Sequence, residues 1–148
     1  KSKKWRYHVV DEDKGGDALI SYIKAAKRRI LATHFTLEPP SDGYLGILKD
    51  RLKNGVRIHR VIHFQKQPND PAYAWLAKFS EHPDYYTQTA VSCSLPFNMV
   101  IIDGKFVWLF LPSSQHGYFR DALWIENERL AALFTCVFDG VAMRNKVS

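Results

Sequence analysis

The sequence has no apolar run close to the roughly 20 residues that a helix needs to cross a membrane, so it predicts no membrane span. It also has no apolar signal segment near its start, and its first residue is Lys1 rather than Met. We therefore expect the chain to be part of a longer protein. Its 148 residues suit one domain with a substantial core.

Cysteine is scarce: Cys93 and Cys136 are far apart in the sequence and surrounded by apolar residues. A metal site needs more ligands at closer spacing, so we expect neither a metal nor another cofactor. Two buried free thiols are typical of an intracellular protein, which predicts a cytoplasmic location. The sequence also lacks a glycine-rich phosphate loop and a convincing Ser-His-Asp order, so neither kind of site is predicted.

Acidic residues are fewer than basic ones, and the formal net charge is +6. Part of this excess lies in residues 1–6, which we interpret as a basic tail or linker remnant before a single domain over residues 7–148. A charge run on helices is usually a solvated face, but it can also bind nucleic acid. The candidates for nucleic-acid binding are Arg28, Arg29, Lys49, Arg51 and Lys53.

Strand and helix patterns alternate along the chain, which predicts an α/β fold. We expect a mixed, mainly parallel central sheet flanked by helices on both faces. Gly15-Gly16 is expected to break the chain before a helix that Asp17 caps. Further helices are predicted after Gly43, from Asp70-Pro71 and over residues 126–141. The predicted strands span residues 7–10, 30–37, 56–64, 87–94, 98–102, 106–111 and 123–125.

Two glycine turns divide these elements. Asn54-Gly55 is expected to end the second helix, and Asp103-Gly104 indicates a hairpin between two apolar strands. The last helix is expected to bury one apolar stripe. Its inward residues would be Leu130, Leu133, Phe134, Val137, Phe138 and Val141.

Three parts of the sequence carry a family pattern. The first runs DALISYIKAAKRRILATHFTLE and then YLGILKDRLKNGVRIHRVIHF, the second is LPFNMVIIDGKFVWLF, and the third is RLAALFTCVFDGV. They resemble, in order, the opening half, the signature hairpin and the closing helix of a phospholipase D-like domain. The superfamily signature is His-x-Lys, four residues and Asp, usually followed by Gly. The resemblance covers most of the chain and implies that superfamily's α/β fold.

The signature itself is incomplete in this chain. The resemblance is anchored on Asp103 and Gly104, and it places Pro96 where the family has its nucleophilic His. Asn98 stands where the family has its phosphate-binding Lys. The family's Gly-Ser-x-Asn element would fall on residues 110–113, which match it only after a shift in the alignment.

These replacements remove the family's chemistry. Members cleave phosphodiesters through a phosphohistidine, so an imidazole must attack phosphorus while a cation offsets the charge of the transition state. Proline has no nucleophilic atom, and asparagine carries no charge. The resemblance therefore implies a catalytically inactive domain. Because the family builds one active site from two signatures, it also implies a homodimer.

Several residues remain candidates for a ligand site. His34 and His63 lie near the ends of predicted strands, where open α/β sheets bind ligands. His116 lies in the loop after the hairpin, and Asp103 is either an orienting carboxylate or a turn residue. The ligand-binding candidates are His34, His63, Asn98, Asp103, Ser113, Ser114 and His116.

Three functions follow from these observations. The first is an inactive phospholipase D-like domain that serves a larger protein as a regulatory, ligand-sensing or dimerisation module. Its ligand would be a small molecule or a phosphate-containing compound. The second is a phosphodiesterase or nuclease whose catalytic histidine is displaced to His34, His63 or His116. The third is a nucleic-acid-binding module.

Overall fold

A computed structural model of the chain describes residues 6–34, 42–63, 84–91, 98–112 and 119–144. Within them lie seven strands and three helices. In chain order they are β1 (Arg6–Asp11), α1 (Glu12–Ala25), β2 (Arg29–His34), α2 (Asp42–Lys53), β3 (Arg57–His63), β4 (Tyr86–Val91), β5 (Asn98–Ile102), β6 (Phe106–Pro112), β7 (Phe119–Glu126) and α3 (Glu128–Arg144). No helix in this part of the chain is long and apolar enough to span a membrane.

The described strands form one sheet in the order β1-β7-β6-β5-β2-β3-β4. The ladders β2–β3 and β3–β4 are parallel, and the other four are antiparallel. Five strands nevertheless point the same way, because only β5 and β7 run against the rest. The predicted α/β fold with a mixed sheet is therefore confirmed.

Two edges of the sheet matter for function. The carboxyl edge is the one at which β2 and β3 end, and the amino edge is the one at which they begin. β5 is antiparallel to β2, so it starts at the carboxyl edge and ends in a hairpin at the amino edge. α3 begins at the amino edge, because the backbone N–H of Asn127 donates to the carbonyl oxygen of Lys105 at 3.0 Å.

Helices cover both faces of the sheet. α1 and α2 pack on one face, and their core includes Ile23, Leu48 and Trp108. α3 packs on the other, against Leu31, Val61 and Ile101. Side chains of adjacent strand residues point to opposite faces, so the fully buried β5 contributes to both cores.

α1 begins earlier than the sequence indicated. The expected break at Gly15-Gly16 is wrong, since both glycines lie inside the helix Glu12–Ala25. Each glycine costs a helix about 1 kcal/mol relative to alanine. Acidic residues over 11–13 favour a helix start there, because a helix N-terminus carries partial positive charge.

The end of α2 matches the prediction. Gly55 has a φ of 81°, a backbone conformation that glycine adopts without a Cβ clash. The N–H of Val56 donates to the Arg51 carbonyl at 3.0 Å, and the N–H of Gly55 donates to the Leu52 carbonyl at 3.1 Å. These two bonds form a Schellman motif, which satisfies carbonyls that the helix end would otherwise leave open.

α3 is rotated relative to the predicted stripe. Asn127 caps it, since its Oδ1 accepts from the N–H of Leu130 at 2.9 Å. The fully buried side chains are those of Ala131 and Phe138. The expectation that Leu133 and Val137 face inward is wrong, because they are 59% and 43% exposed.

Two further expectations have different outcomes. Cys136 is an exposed free thiol, so its predicted burial is wrong. The predicted helix from Asp70-Pro71 lies outside the described residues, as does Cys93.

Candidate functional site

Three strand ends meet at the carboxyl edge. β2 ends at His34, β3 ends at His63, and β5 begins at Asn98. The last ladder pair between β2 and β5 is Ala32 with Val100. One residue further along, the N–H of Met99 donates to Oγ1 of Thr33 at 2.8 Å, which holds the start of β5 against the end of β2.

Asn98 is a buried polar residue at this edge, as is Thr33. Its side chain is only 8% exposed, and its Oδ1 has no hydrogen-bond partner among the described residues. Leaving a buried acceptor unsatisfied costs about 1–3 kcal/mol, so native structures usually avoid it. A ligand that donates a hydrogen bond at this point would remove that cost.

Arg60 brings a positive charge to the same face of the sheet and was missed in the sequence. It lies in β3, is 3% exposed, and is in register with Ala32 of β2. Strand alternation gives it the same face as Ile58, just as Asn98 shares a face with Val100. A charged residue at an inward position of an apolar strand was the sequence signal that could have revealed it.

Tyr86 lies near both Arg60 and a second tyrosine, Tyr44. Burial raises the pKa of the Tyr86 hydroxyl to about 12. The positive charge of Arg60 opposes this rise, and Tyr44 adds to it. A buried cation favours anions nearby, since charges interact strongly where water is excluded.

Asp103, the residue that matches the family signature, lies at the amino edge instead. It has a φ of 55° and sits in the turn between β5 and β6. Its Oδ1 accepts from the N–H groups of Arg28 and Arg29 at 2.8 and 3.0 Å, and its Oδ2 accepts from the N–H of Lys27 at 3.0 Å. The length of β5, about 14 Å, separates this carboxylate from Asn98.

The other ligand candidates are only partly described. For His34 and His63 the structure gives the strand positions at the carboxyl edge. Ser113, Ser114 and His116 lie outside the described residues, as does Pro96. In the described part of the chain, no group of His, Cys, Asp and Glu side chains could hold a metal ion.

The five basic candidates separate into two groups. Arg28, Arg29 and Lys53 are exposed at the amino edge. Lys49 and Arg51 are half-buried on α2. Arg51 has a structural role, because its Nη1 donates to the Ala26 carbonyl at 3.1 Å and its Nη2 pairs with Asp50 at 2.8 Å.

A groove of about 250 Å³ also lies at the amino edge. Its lining combines two exposed cations with the hairpin turn and the start of α3. The lining residues are Arg28, Arg29, Asp103, Gly104 and Glu128.

No family model matches the sequence, and no curated protein matches it. Solved structures do. Nuc from Salmonella typhimurium, a phospholipase D family member, is 18% identical with a TM-score of 0.74, over 98% of this chain and 100% of its own. NucT from Helicobacter pylori is 11% identical with a TM-score of 0.75, over 98% and 100%.

A third similar structure belongs to a longer protein. TrmBL2, an archaeal chromatin protein described as showing a novel mode of DNA binding, is 18% identical with a TM-score of 0.72. The match covers 96% of this chain and 55% of TrmBL2, so the chain spans about half the length of that protein. At such identities the likeness concerns the fold alone.

Proposed function

We propose that this chain, which has a phospholipase D-like fold, is a catalytically inactive module that binds a small polar or phosphate-containing ligand at the carboxyl edge of its sheet. The observation that carries the proposal is the buried Asn98, whose Oδ1 has no partner among the described residues. It stands where the resemblance places the family's phosphate-binding lysine.

The absence of turnover follows from the side chains at the signature positions. A phosphoryl-transfer site needs a nucleophile and fixed positive charge around the phosphoryl group. In this sequence the nucleophile position is Pro96, which has no nucleophilic atom, and the lysine position is Asn98, which is neutral. The amide of Asn98 keeps the capacity to recognise a ligand without transferring a group from it.

The ligand's chemistry follows from two described residues. The Oδ1 of Asn98 accepts a hydrogen bond, so the ligand needs a hydroxyl or an N–H donor there. Arg60, on the same face and separated from β5 only by β2, supplies a positive field that favours an anionic group. A phosphate ester with a free hydroxyl meets both requirements.

Thermal-shift measurements with inorganic phosphate and a panel of phosphate monoesters test this proposal. A bound ligand at about a hundred times its Kd stabilises a protein by about 2.7 kcal/mol, a rise in Tm that is easily measured. Asn98→Leu is expected to lower the affinity about tenfold while the variant remains folded. The control Thr135→Val also removes a polar group, on the distant α3, and should leave the affinity unchanged.

Two results would contradict binding at this edge. One is a wild-type protein whose Tm no member of the panel raises. The other is a ligand that Asn98→Leu binds as well as the wild type does.

The alternative function, a phosphodiesterase with a displaced histidine, predicts hydrolysis, whereas the inactive module predicts none. Incubation with a generic phosphodiester and with nuclease substrates is expected to show no hydrolysis. Turnover that disappears in His63→Ala or His116→Ala would establish the enzyme and overturn the inactive assignment.

The larger setting of the module is part of the same proposal. The match to about half of TrmBL2 supports a domain that works inside a longer protein. A cytoplasmic location stays a prediction from the sequence. The expected homodimer stays a prediction, which rests on the family's use of two signatures for one site. Size-exclusion chromatography with light scattering should give twice the 17.1 kDa of one chain, and a clean monomer would remove this part of the proposal.

A further inference from the structure

Exposed cations line the amino edge of the sheet. Arg29 and Arg57 are the first residues of β2 and β3 and lie in register on neighbouring strands. The N–H of Arg57 donates to the carbonyl oxygen of Arg28 at 3.0 Å, which joins the two segments. We call this surface the basic edge, and it consists of Lys27, Arg28, Arg29, Lys53 and Arg57, all exposed.

Helix dipoles and ion pairs do not account for the three arginines of the basic edge. A cation in the last turn complements the negative end of a helix, which explains Lys53 on α2. Arg28, Arg29 and Arg57 follow the helices instead. Among the described residues, none of these three arginines forms an ion pair. Like charges on neighbouring strands repel one another, and a bound anion would reduce that repulsion.

The carboxylates at this edge offset only part of the charge. Asp103 directs both oxygens to the backbone N–H groups of residues 27–29, and Glu126 pairs with Lys105 at 3.4 Å. In the described part of the chain, Asp84 and Glu128 also lie at this edge, and Asp50 lies near the end of α2. The three hydrogen bonds to Asp103 also hold the backbone of Lys27, Arg28 and Arg29. The side chains of these cations therefore extend from a fixed backbone.

An aromatic side chain continues the row of arginines. Tyr85 immediately precedes β4, and its carbonyl oxygen accepts from the N–H of Ile58 at 2.8 Å. Tyr85 therefore follows Arg57 across the edge, one strand spacing of about 4.8 Å away. Its side chain is 41% exposed, unlike most large apolar residues of the described sheet.

We propose that the basic edge binds single-stranded nucleic acid, with phosphates along Arg29 and Arg57 and a base stacked on Tyr85. Such recognition has two elements: positive side chains that follow the nucleic-acid backbone, and an aromatic ring on which any base can stack. Arginine forks suit phosphate oxygens. An acidic protein is a poorer fit, because protein interfaces have an apolar centre and the basic edge has none.

This surface is distinct from the ligand site at the carboxyl edge, so the two proposals can fail separately. Fluorescence anisotropy with a labelled oligothymidine of about 20 nucleotides, long enough for one site, measures the binding. The triple variant Arg28→Gln, Arg29→Gln, Arg57→Gln should bind more weakly. It should also reduce the slope of log K against log salt by about 2, or about 0.7 for each lost contact with a single strand.

A matched control removes the same charge elsewhere. The triple variant Lys1→Gln, Lys3→Gln, Lys4→Gln should keep the wild-type affinity and salt slope. Tyr85→Ala should lower the affinity about fivefold or more without changing the salt slope, because stacking involves no counterion release. Asn98→Leu should bind the oligonucleotide as the wild type does. Melting curves show that each variant is folded.

Three outcomes would overturn the inference. The wild type could fail to bind the oligonucleotide at low salt. The tail variant could lose as much affinity as the arginine variant, which would identify nonspecific attraction to net charge. A duplex could bind better than the single strand with Tyr85→Ala unchanged, which would assign the edge to another class of partner.

Discussion

The Oδ1 atom of Asp103 lies 2.8 Å from the backbone nitrogen of Arg28, a residue 75 positions earlier in the chain. The same carboxylate also accepts from the N–H groups of Lys27 and Arg29. One side chain thus joins the β5–β6 hairpin to the turn between α1 and β2. The residue that matches the aspartate of the phospholipase D-like signature has a structural role here, at the edge opposite the candidate ligand site.

Replacing Asp103 should weaken the fold measurably. Asp103→Ala removes three hydrogen bonds to a charged acceptor and puts alanine at a positive φ, so we expect a loss of about 3 kcal/mol in the free energy of unfolding. Asp103→Asn keeps one acceptor and tolerates that φ, so its loss should be about 1–2 kcal/mol. Urea denaturation measures both. Equal midpoints for the wild type and Asp103→Ala would show that these bonds contribute nothing.

Two glycines, one inside α2 and one just after it, should respond in opposite directions to replacement by alanine. Gly55→Ala places a Cβ at a φ of 81° and should destabilise the protein by about 1–2 kcal/mol. Gly46→Ala lies inside α2 with nothing within 4 Å of the new Cβ, so it should stabilise the protein by up to about 1 kcal/mol. Thermal unfolding of both variants checks the sign. A gain in Tm from Gly55→Ala would disagree with the Schellman motif.

The orientation of α3 can be tested with one buried and one exposed residue. Phe138 is fully buried, so Phe138→Ala should cost about 3–5 kcal/mol. Leu133→Ala on the exposed side should change stability by no more than about 0.5 kcal/mol. Chemical denaturation compares them. A reversed order of the two effects would mean that the helix packs through the stripe expected from the sequence.

The stability of the protein should depend on pH through His59. Burial lowers the pKa of this imidazole, and the negative charge of Asp139 opposes that effect. The unfolded chain then binds the proton more readily than the folded one. The contribution of neutral His59 is therefore present above the ordinary pKa of 6.5 and is lost as the pH falls through the lowered folded value.

Urea denaturation at about pH 7.5 and about pH 5 measures this dependence as a difference in unfolding free energy. His59→Gln should show a smaller loss on acidification than the wild type. Asp139→Asn should show a larger loss, since it removes the charge that opposes the lowered pKa. If all three proteins lose the same amount, His59 does not titrate differently in the folded state.

Local signals in the sequence predicted several of the turns and strands. Asp103-Gly104 and Asn54-Gly55 each indicated a turn because few other residue pairs suit a positive φ, and both turns are present. Continuous apolar runs on either side of Asp103-Gly104 predicted β5 and β6 within one residue of their observed ends. The position of Asn98 at the end of β5 opposite the turn followed from the predicted hairpin.

Other features depend on tertiary contacts that local patterns do not contain. The glycine pair inside α1 is overridden by the surrounding helix. Ala131 and Ala142 face the sheet because small side chains let α3 approach it closely, whereas the larger Leu133 suggested another stripe. The sheet order was needed to place the buried charge of Arg60 on the same face as Asn98, because β2 lies between β3 and β5.

The sheet order also has a kinetic consequence. β2, β3 and β4 can pair through sequential crossovers, and β5, β6 and β7 through hairpins, but the β2–β5 ladder unites these halves across roughly 70 residues of chain. Such distant pairing slows folding. Until the β2–β5 ladder forms, β2 and β5 each present one unpaired strand edge to other molecules. Refolding yield should therefore fall as protein concentration rises. Self-association competes for β5, the strand that later lies at the centre of the sheet.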